Sequence, residues 1–142
     1  MVEPEDAHIL VIEDNIYNYT LIARLLKFVG VKSLDWSRTG RQIQGLGSSL
    51  PRVDLVLLDI HLPYEDGYTT LQRLREDAKF KHTRVVAVTA EATEDNMRRA
   101  REAGFDGFIA KPIDPDRFPE QIGTVLRGEQ VWDLGRTASD TV

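Results

Sequence analysis

Glu13 and Asp14, Asp59, Thr89 and Lys111 stand far apart in the chain, yet each follows directly on a short apolar run. His8-Ile9-Leu10-Val11-Ile12 stops at Glu13-Asp14, Leu55-Val56-Leu57-Leu58 at Asp59, Val85-Val86-Ala87-Val88 at Thr89, and Gly107-Phe108-Ile109-Ala110 at Lys111-Pro112. Unbroken apolar runs of this length suit strands covered on both faces of a parallel sheet. In such a sheet these strand ends share one edge, where open α/β folds place their sites. Taken alone, Asp59 is an ordinary turn residue that bonds nearby backbone; four strand ends that all carry reactive groups are not explained that way. Three carboxylates in one pocket repel, which raises at least one pKa unless a cation is present. An all-oxygen ligand set suits Mg2+, with Mn2+ as a substitute. A cation, a carboxylate nucleophile, a hydroxyl and an ammonium together suit phosphoryl transfer, in which positioning and charge neutralisation dominate. The turn after the first strand is Glu13-Asp14-Asn15 rather than a glycine-rich cradle, which argues against a nucleotide or flavin there.

The elements that must hold these residues alternate. After the first strand, Leu21, Ile22, Leu25, Leu26 and Val29 recur at helical spacing, and Gly30 is a natural stop. Residues 31–36 form a short edge strand, and 39–49, with Gly40, Gly45 and Gly47, a weak helix. The Asp59 strand runs into a loop marked by Pro63 and Gly67, followed by an apolar stripe of Tyr68, Leu71 and Leu74 on a helix ending near Asp77. Thr93 is the expected N-cap of the next helix, with Glu94 and Asp95 in its first turn and Gly104 beyond its end. Phe118, Ile122, Val125 and Leu126 stripe the last one. The count is five strands alternating with five helices, a doubly wound α/β fold with a five-stranded parallel sheet. For the strand order 2-1-3-4-5 the crevice opens between the first and third strands, where the three carboxylates meet.

Composition narrows the function classes. The 142 residues fit one domain, with 42% hydrophobic and 29% charged residues. Zero cysteines exclude disulfides, thiolate metal sites and a cysteine nucleophile. A net charge of −5 disfavours nucleic acid as the main partner. Arg98-Arg99-Ala100-Arg101 is a basic cluster diluted by Glu94, Asp95 and Glu102, expected to be one solvated helix face. With no long apolar run and no secretory signal, the expected location is the cytoplasm. Residues 1–7 are expected to be a loose N-terminus, 8–127 the folded domain, and 128–142 a mostly disordered tail, with Trp132 and Leu134 able to pack back on the domain.

These motifs, in this order and spacing, resemble the receiver domains of two-component response regulators, which have a flavodoxin-like fold. The resemblance covers about residues 8–127. It rests on Glu13-Asp14, on Asp59 with Pro63 and Gly67, on Thr89-Ala90, and on Gly104-Phe105-Asp106-Gly107-Phe108 running into Lys111-Pro112. Glu13-Asp14-Asn15 with Asn18 looks most like stand-alone receivers and those attached to hybrid kinases.

The resemblance implies that Asp59 is the phosphoacceptor, served by a histidine kinase or a histidine phosphotransfer protein. Asp14, Asp59 and the backbone carbonyl of His61 would ligate Mg2+, with Glu13 acting directly or through water. Lys111, before a proline whose peptide is cis in many members, would pair with the phosphoryl oxygens. Thr89 would move its hydroxyl onto the new group, and Phe108, otherwise a half-buried edge aromatic, would swing inward behind it. The signal would leave through the face of the fourth helix, fifth strand and fifth helix. His61 and Glu91 occupy positions that tune loss of the phosphoryl group. Ile16, Tyr17 and Tyr19, at the start of the first helix, form the expected docking end for the phosphodonor protein.

With about fifteen residues after the last helix, too few for a DNA-binding domain, the expected mode is a single-domain regulator acting by protein contacts or onward phosphotransfer, without direct DNA or membrane binding. Two rivals stand beside it. A haloacid-dehalogenase-type aspartyl phosphatase needs a second acid two residues after its nucleophile, where this chain has His61. A phosphorylation-independent interaction module would not need the acceptor, hydroxyl and lysine that this chain keeps.

Overall fold

A computed structural model of the chain describes residues 2–42, 50, 52–62 and 65–135. Its elements are β1 (His8–Ile12), α1 (Ile16–Val29), β2 (Ser33–Ser37), β3 (Leu55–Asp59), α2 (Gly67–Glu76), β4 (Arg84–Thr89), α3 (Glu94–Ala103), β5 (Gly107–Ala110), α4 (Phe118–Leu126) and β6 (Val131–Asp133). Short 3-10 turns cover Pro4–Asp6 and Gly40–Gln42. The strands form one parallel sheet in the order β2-β1-β3-β4-β5-β6. The doubly wound architecture and the 2-1-3-4-5 order are as expected from the apolar runs. A sixth strand extends the sheet beyond them.

Alternation along each strand splits the core in two. Leu10, Ile12, Val56, Leu58, Val85, Ala87 and Phe108 face one side, under Leu71 and Leu74 of α2 and Ala100 of α3. Ile9, Val11, Leu55, Leu57, Val86, Val88 and Ile109 face the other, under Ile22 and Leu26 of α1 and Ile122 and Val125 of α4. Because neighbouring residues of a strand point to opposite faces, burial on both faces demands the continuous apolar runs of the sequence. Asn15 caps α1 by accepting from the Tyr17 and Asn18 amides, and Thr93 caps α3 by accepting from Asn96. Gly30 and Gly104 end their helices in the left-handed region, at φ 113° and 105°.

Three expectations change. Of the weak helix over 39–49, only the Gly40–Gln42 turn falls within the described residues. The helices expected fourth and fifth are therefore α3 and α4. The N-terminus is not loose: the Val2 amide donates to the Leu126 carbonyl at 3.0 Å, Arg52 donates to the Asp6 carbonyl at 2.7 Å, and Ala7 is buried. The tail, expected to be disordered, forms β6 over 131–133. Trp132 and Leu134 pack on the core and β5 supplies a free ladder edge, so backbone pairing and apolar burial act together.

Candidate functional site

The carboxyl edge of the sheet gathers the acids. Glu13 and Asp14 follow β1, and Asp59 is the last residue of β3, the strand beside it. One carboxylate oxygen from each of the three lies within 4.8 Å of the others. Two of these acids are out of water: Glu13 is 1% exposed and Asp59 6%. Lys111, delivered by β5 from across β4, reaches both, with Nζ 2.5 Å from Glu13 Oε1 and 3.2 Å from Asp59 Oδ2. The Lys111–Pro112 peptide is cis. One ammonium among three carboxylates, bonded to two of them, leaves negative charge uncompensated. At the exposed mouth, desolvation first, then hydrogen bonding and repulsion from Glu13, raise the Asp14 carboxyl above the ordinary 3.8, against a backbone hydrogen bond and the pull of Lys111.

The loops that frame the acids are fixed locally. Asp59 Oδ1 accepts from the His61 amide at 3.0 Å. Behind it the Gly67 amide donates to the Ile60 carbonyl at 2.7 Å. A Cβ on Gly67 would lie 2.7 Å from the Ile60 Cα, so only glycine lets α2 begin this close to the loop after Asp59. Pro63, the other marker of that loop, lies outside the described residues. On the β1 side, the Trp36 indole donates to the Glu13 carbonyl at 2.7 Å, and Tyr19 stacks on Trp36 with ring centroids 4.3 Å apart. The sequence pattern marks Trp36 only as part of an edge strand. Its position near the carboxyl end of β2, beside a turn of two acids, was the available signal.

Thr89 ends β4, and its carbonyl accepts from the Lys111 amide at 2.7 Å. Its hydroxyl accepts from the Glu91 amide at 3.1 Å, closing a local turn. His61 and Glu91 approach across the rim, Nε2 to Oε2 at 3.3 Å. With Tyr68, Thr89, Asn96 and Arg99 they line a cavity of about 70 Å³. Arg99 lies 4.2 Å from the centroid of the Tyr68 ring and Arg101 lies 4.4 Å from that of Trp132, so this basic cluster caps aromatic rings rather than forming only a solvated face. Phe108 is not at the pocket and is not half-buried: it is 0% exposed beneath the α3 side of the sheet. Tyr17 is 82% exposed at the start of α1 and Ile16 is 43% exposed, while Tyr19 is engaged with Trp36.

A doubly wound parallel sheet with an acidic cleft at its carboxyl edge, bridged by a lysine from the end of β5, defines the class of protein this chain represents. Residues 9–123 match the model of the response regulator receiver domain. The chain therefore belongs to the receiver family of two-component response regulators, whose signalling is phosphorylation-based. It is 34% identical over 119 residues to the polar-differentiation response regulator DivK of Brucella anthropi, covering 83% of this chain and 94% of that protein. The DivK of Brucella ovis is 33% identical over 118 residues, with the same coverage. Among solved structures, the receiver domain of the sensor histidine kinase PA1611 from Pseudomonas aeruginosa, determined with a magnesium ion coordinated in its active site cleft, matches with a TM-score of 0.71 at 26% identity. That match covers 86% of this chain and 95% of that one. The Vibrio cholerae chemotaxis protein CheY4 shares the fold, with a TM-score of 0.74 at 20% identity over 82% of this chain and 96% of its own. Among the described residues, no helix is long and apolar enough to cross a membrane.

Proposed function

We propose that this chain is a single-domain response regulator that takes a phosphoryl group onto Asp59 from the phosphohistidine of a histidine kinase or phosphotransfer protein, with Mg2+ in the cleft. The observation that carries this reading is the convergence of Glu13, Asp14 and Asp59 oxygens within 4.8 Å, with Lys111 between two of them. The donor set is all oxygen, as Mg2+ prefers, and Mn2+ should replace it. Asp14, Asp59 and the His61 carbonyl would hold the ion, with Glu13 bound directly or through water. When bound, it would offset the crowded carboxylates and the charge of the entering phosphoryl group. The magnesium ion in the cleft of the PA1611 receiver domain supports this assignment.

An Asp59 carboxylate oxygen attacks phosphorus as the donor's P–N bond breaks, and the leaving imidazole nitrogen keeps the electron pair. Lys111 then turns from Glu13 and Asp59 to the phosphoryl oxygens. The Thr89 hydroxyl, which now accepts from Glu91, donates to one of them. Hydrogen bonds with one charged partner contribute about 1.5–3 kcal/mol each. Two or three of them supply the roughly 5.5 kcal/mol needed to carry a two-state switch from 1:99 to 99:1. Phe108 behind Thr89 belongs to the same switch, and the signal leaves through the α3, β5 and α4 face or by onward transfer. The 94% coverage of the DivK relative supports the single-domain mode.

His61 and Glu91, paired over the rim, flank the approach of water and set the lifetime of the phosphorylated form. Tyr17, exposed beside the cleft, is the docking residue for the phosphodonor protein. The test is intact-protein mass after incubation with Mg2+ and acetyl phosphate. One phosphoryl group should add to wild type and none to Asp59→Asn; equal labelling of both would reject Asp59 as acceptor. Tyr17→Asp should keep acetyl phosphate labelling and lose transfer from a phosphodonor protein. Replacing both His61 and Glu91 by alanine should change the dephosphorylation rate, and an unaltered rate removes their role.

A further inference from the structure

The sixth strand lies against the element that the proposed switch uses. In the β5–β6 ladder Gly107 faces Val131, Phe108 faces Trp132 and Ile109 faces Asp133. In-register residues of a parallel pair point to the same face, about 4.8 Å apart in the ladder direction. Trp132 therefore flanks Phe108 on the side where β5 would otherwise be the edge of the sheet, and it packs on the cluster that contains Phe108. The strand is pinned from both sides. Arg101 of α3 lies over the Trp132 ring at 4.4 Å, while Asp133 accepts from Arg117 at 2.6 Å and from Gln121 of α4 at 2.7 Å. A Cβ on Gly107 would lie 2.8 Å from the Val131 carbonyl oxygen, so the bare backbone at that position is what lets β6 approach. With β6 seated, Phe108 is 0% exposed.

We propose that Trp132 is a positioning residue of the switch: by closing the outer flank of Phe108, the docked C-terminal strand selects the inward aromatic, so that strand docking and phosphorylation of Asp59 favour each other. The inference rests on the proposed phosphoacceptor function, in which inward Phe108 accompanies Thr89 engaged with the phosphoryl group. Coupling is reciprocal: whatever factor docking adds to phosphorylation, phosphorylation returns to docking. A three-residue edge strand is at the low end of local stability, which leaves it room to respond.

The experiment is hydrogen exchange of the full chain with and without Mg2+ and acetyl phosphate, with labelling followed by mass. Amides of residues 131–133 should exchange about fivefold more slowly, or slower still, in the labelled protein, within the usual range of coupling factors. Those of β1 and β3 serve as the internal reference. Trp132→Ala should shorten the life of the phosphoryl group by a similar factor, and Trp132→Phe should recover most of it, which loss of general stability would not do. Labelled protein whose 131–133 amides exchange at an unchanged or faster rate overturns the inference alone; faster exchange would make the strand a cover released by the signal. A chain that takes no phosphoryl group from acetyl phosphate or a phosphodonor protein overturns the function and the inference together.

Discussion

The two edges of the sheet use the same residue type in opposite ways. At the amino edge, Asp54 just before β3 accepts from the His8 amide at 2.8 Å and from Arg52 at 3.0 and 3.2 Å. Asp106 just before β5 accepts from the Val85 amide and from Arg75, both at 2.9 Å. Each of these carboxylates has a backbone N–H and a guanidinium of its own, and each ties one strand to its neighbour. At the carboxyl edge three carboxylates crowd together with one ammonium, Lys111, which bonds two of them. An acid with its charge matched holds structure together; acids with charge to spare suit the cation of the proposed function. The polarity of the strand separates the two roles.

Lys111→Met breaks the comparison most severely. Without the ammonium, Glu13 and Asp59 are buried charges with no cation, at a cost of about 3 kcal/mol. Urea unfolding should show that loss in chelator and recover most of it in excess Mg2+, while phosphoryl uptake falls sharply in both. Asp106→Ala should cost about 1–3 kcal/mol by taking the carboxylate acceptor from the Val85 amide and one partner from the Arg75 guanidinium, which keeps the Thr83 and Gly104 carbonyls. Here Mg2+ should restore nothing, and labelling per folded molecule should stay at the wild-type level. If Mg2+ rescued both variants alike, the contrast between the edges would be gone.

Trp36→Phe removes the indole bond to the Glu13 carbonyl while keeping an aromatic for Tyr19. A net hydrogen bond of about 1 kcal/mol should appear as a roughly fivefold weaker Mg2+ affinity by titration, with little change in unfolding without metal. The smallest effect is one of pH. Asp14 has a folded pKa above its ordinary 3.8, so the folded state holds the proton more tightly than the unfolded state. Its contribution is stabilising below about 3.8 and is lost as pH rises through the raised folded value. The stability of wild type minus that of Asp14→Asn, without metal, should therefore fall across that window and be flat above it. A difference curve that rises with pH would mean that the folded state favours the charged Asp14.

Most of this was legible in the sequence for identifiable reasons. The strands show because burial on both faces forces runs such as Leu55-Val56-Leu57-Leu58, and the acids show because those runs stop at them. β6 did not show, because Val131-Trp132-Asp133 is too short for any periodicity and forms by tertiary pairing with β5. The full burial of Phe108 was missed as well, since the apolar pattern did not reveal the strand that flanks it. The indole of Trp36 acts on a backbone carbonyl 23 residues away, which local sequence does not encode. Within the site, identity and edge were readable, whereas the sharing of Lys111 between Glu13 and Asp59 depends on three-dimensional placement.

That shared lysine also bears on how the molecule comes into being. Its bonds to Glu13 and Asp59 join residues 98 and 52 positions apart in the chain. Contacts of such separation carry a large loop-closure cost and form only once the intervening elements have condensed. A nascent or partly unraveled chain thus carries Asp59 without the pocket that surrounds it in the finished fold. On the proposed function, phosphoryl uptake would be a certificate of completed folding, and unfinished copies would remain silent.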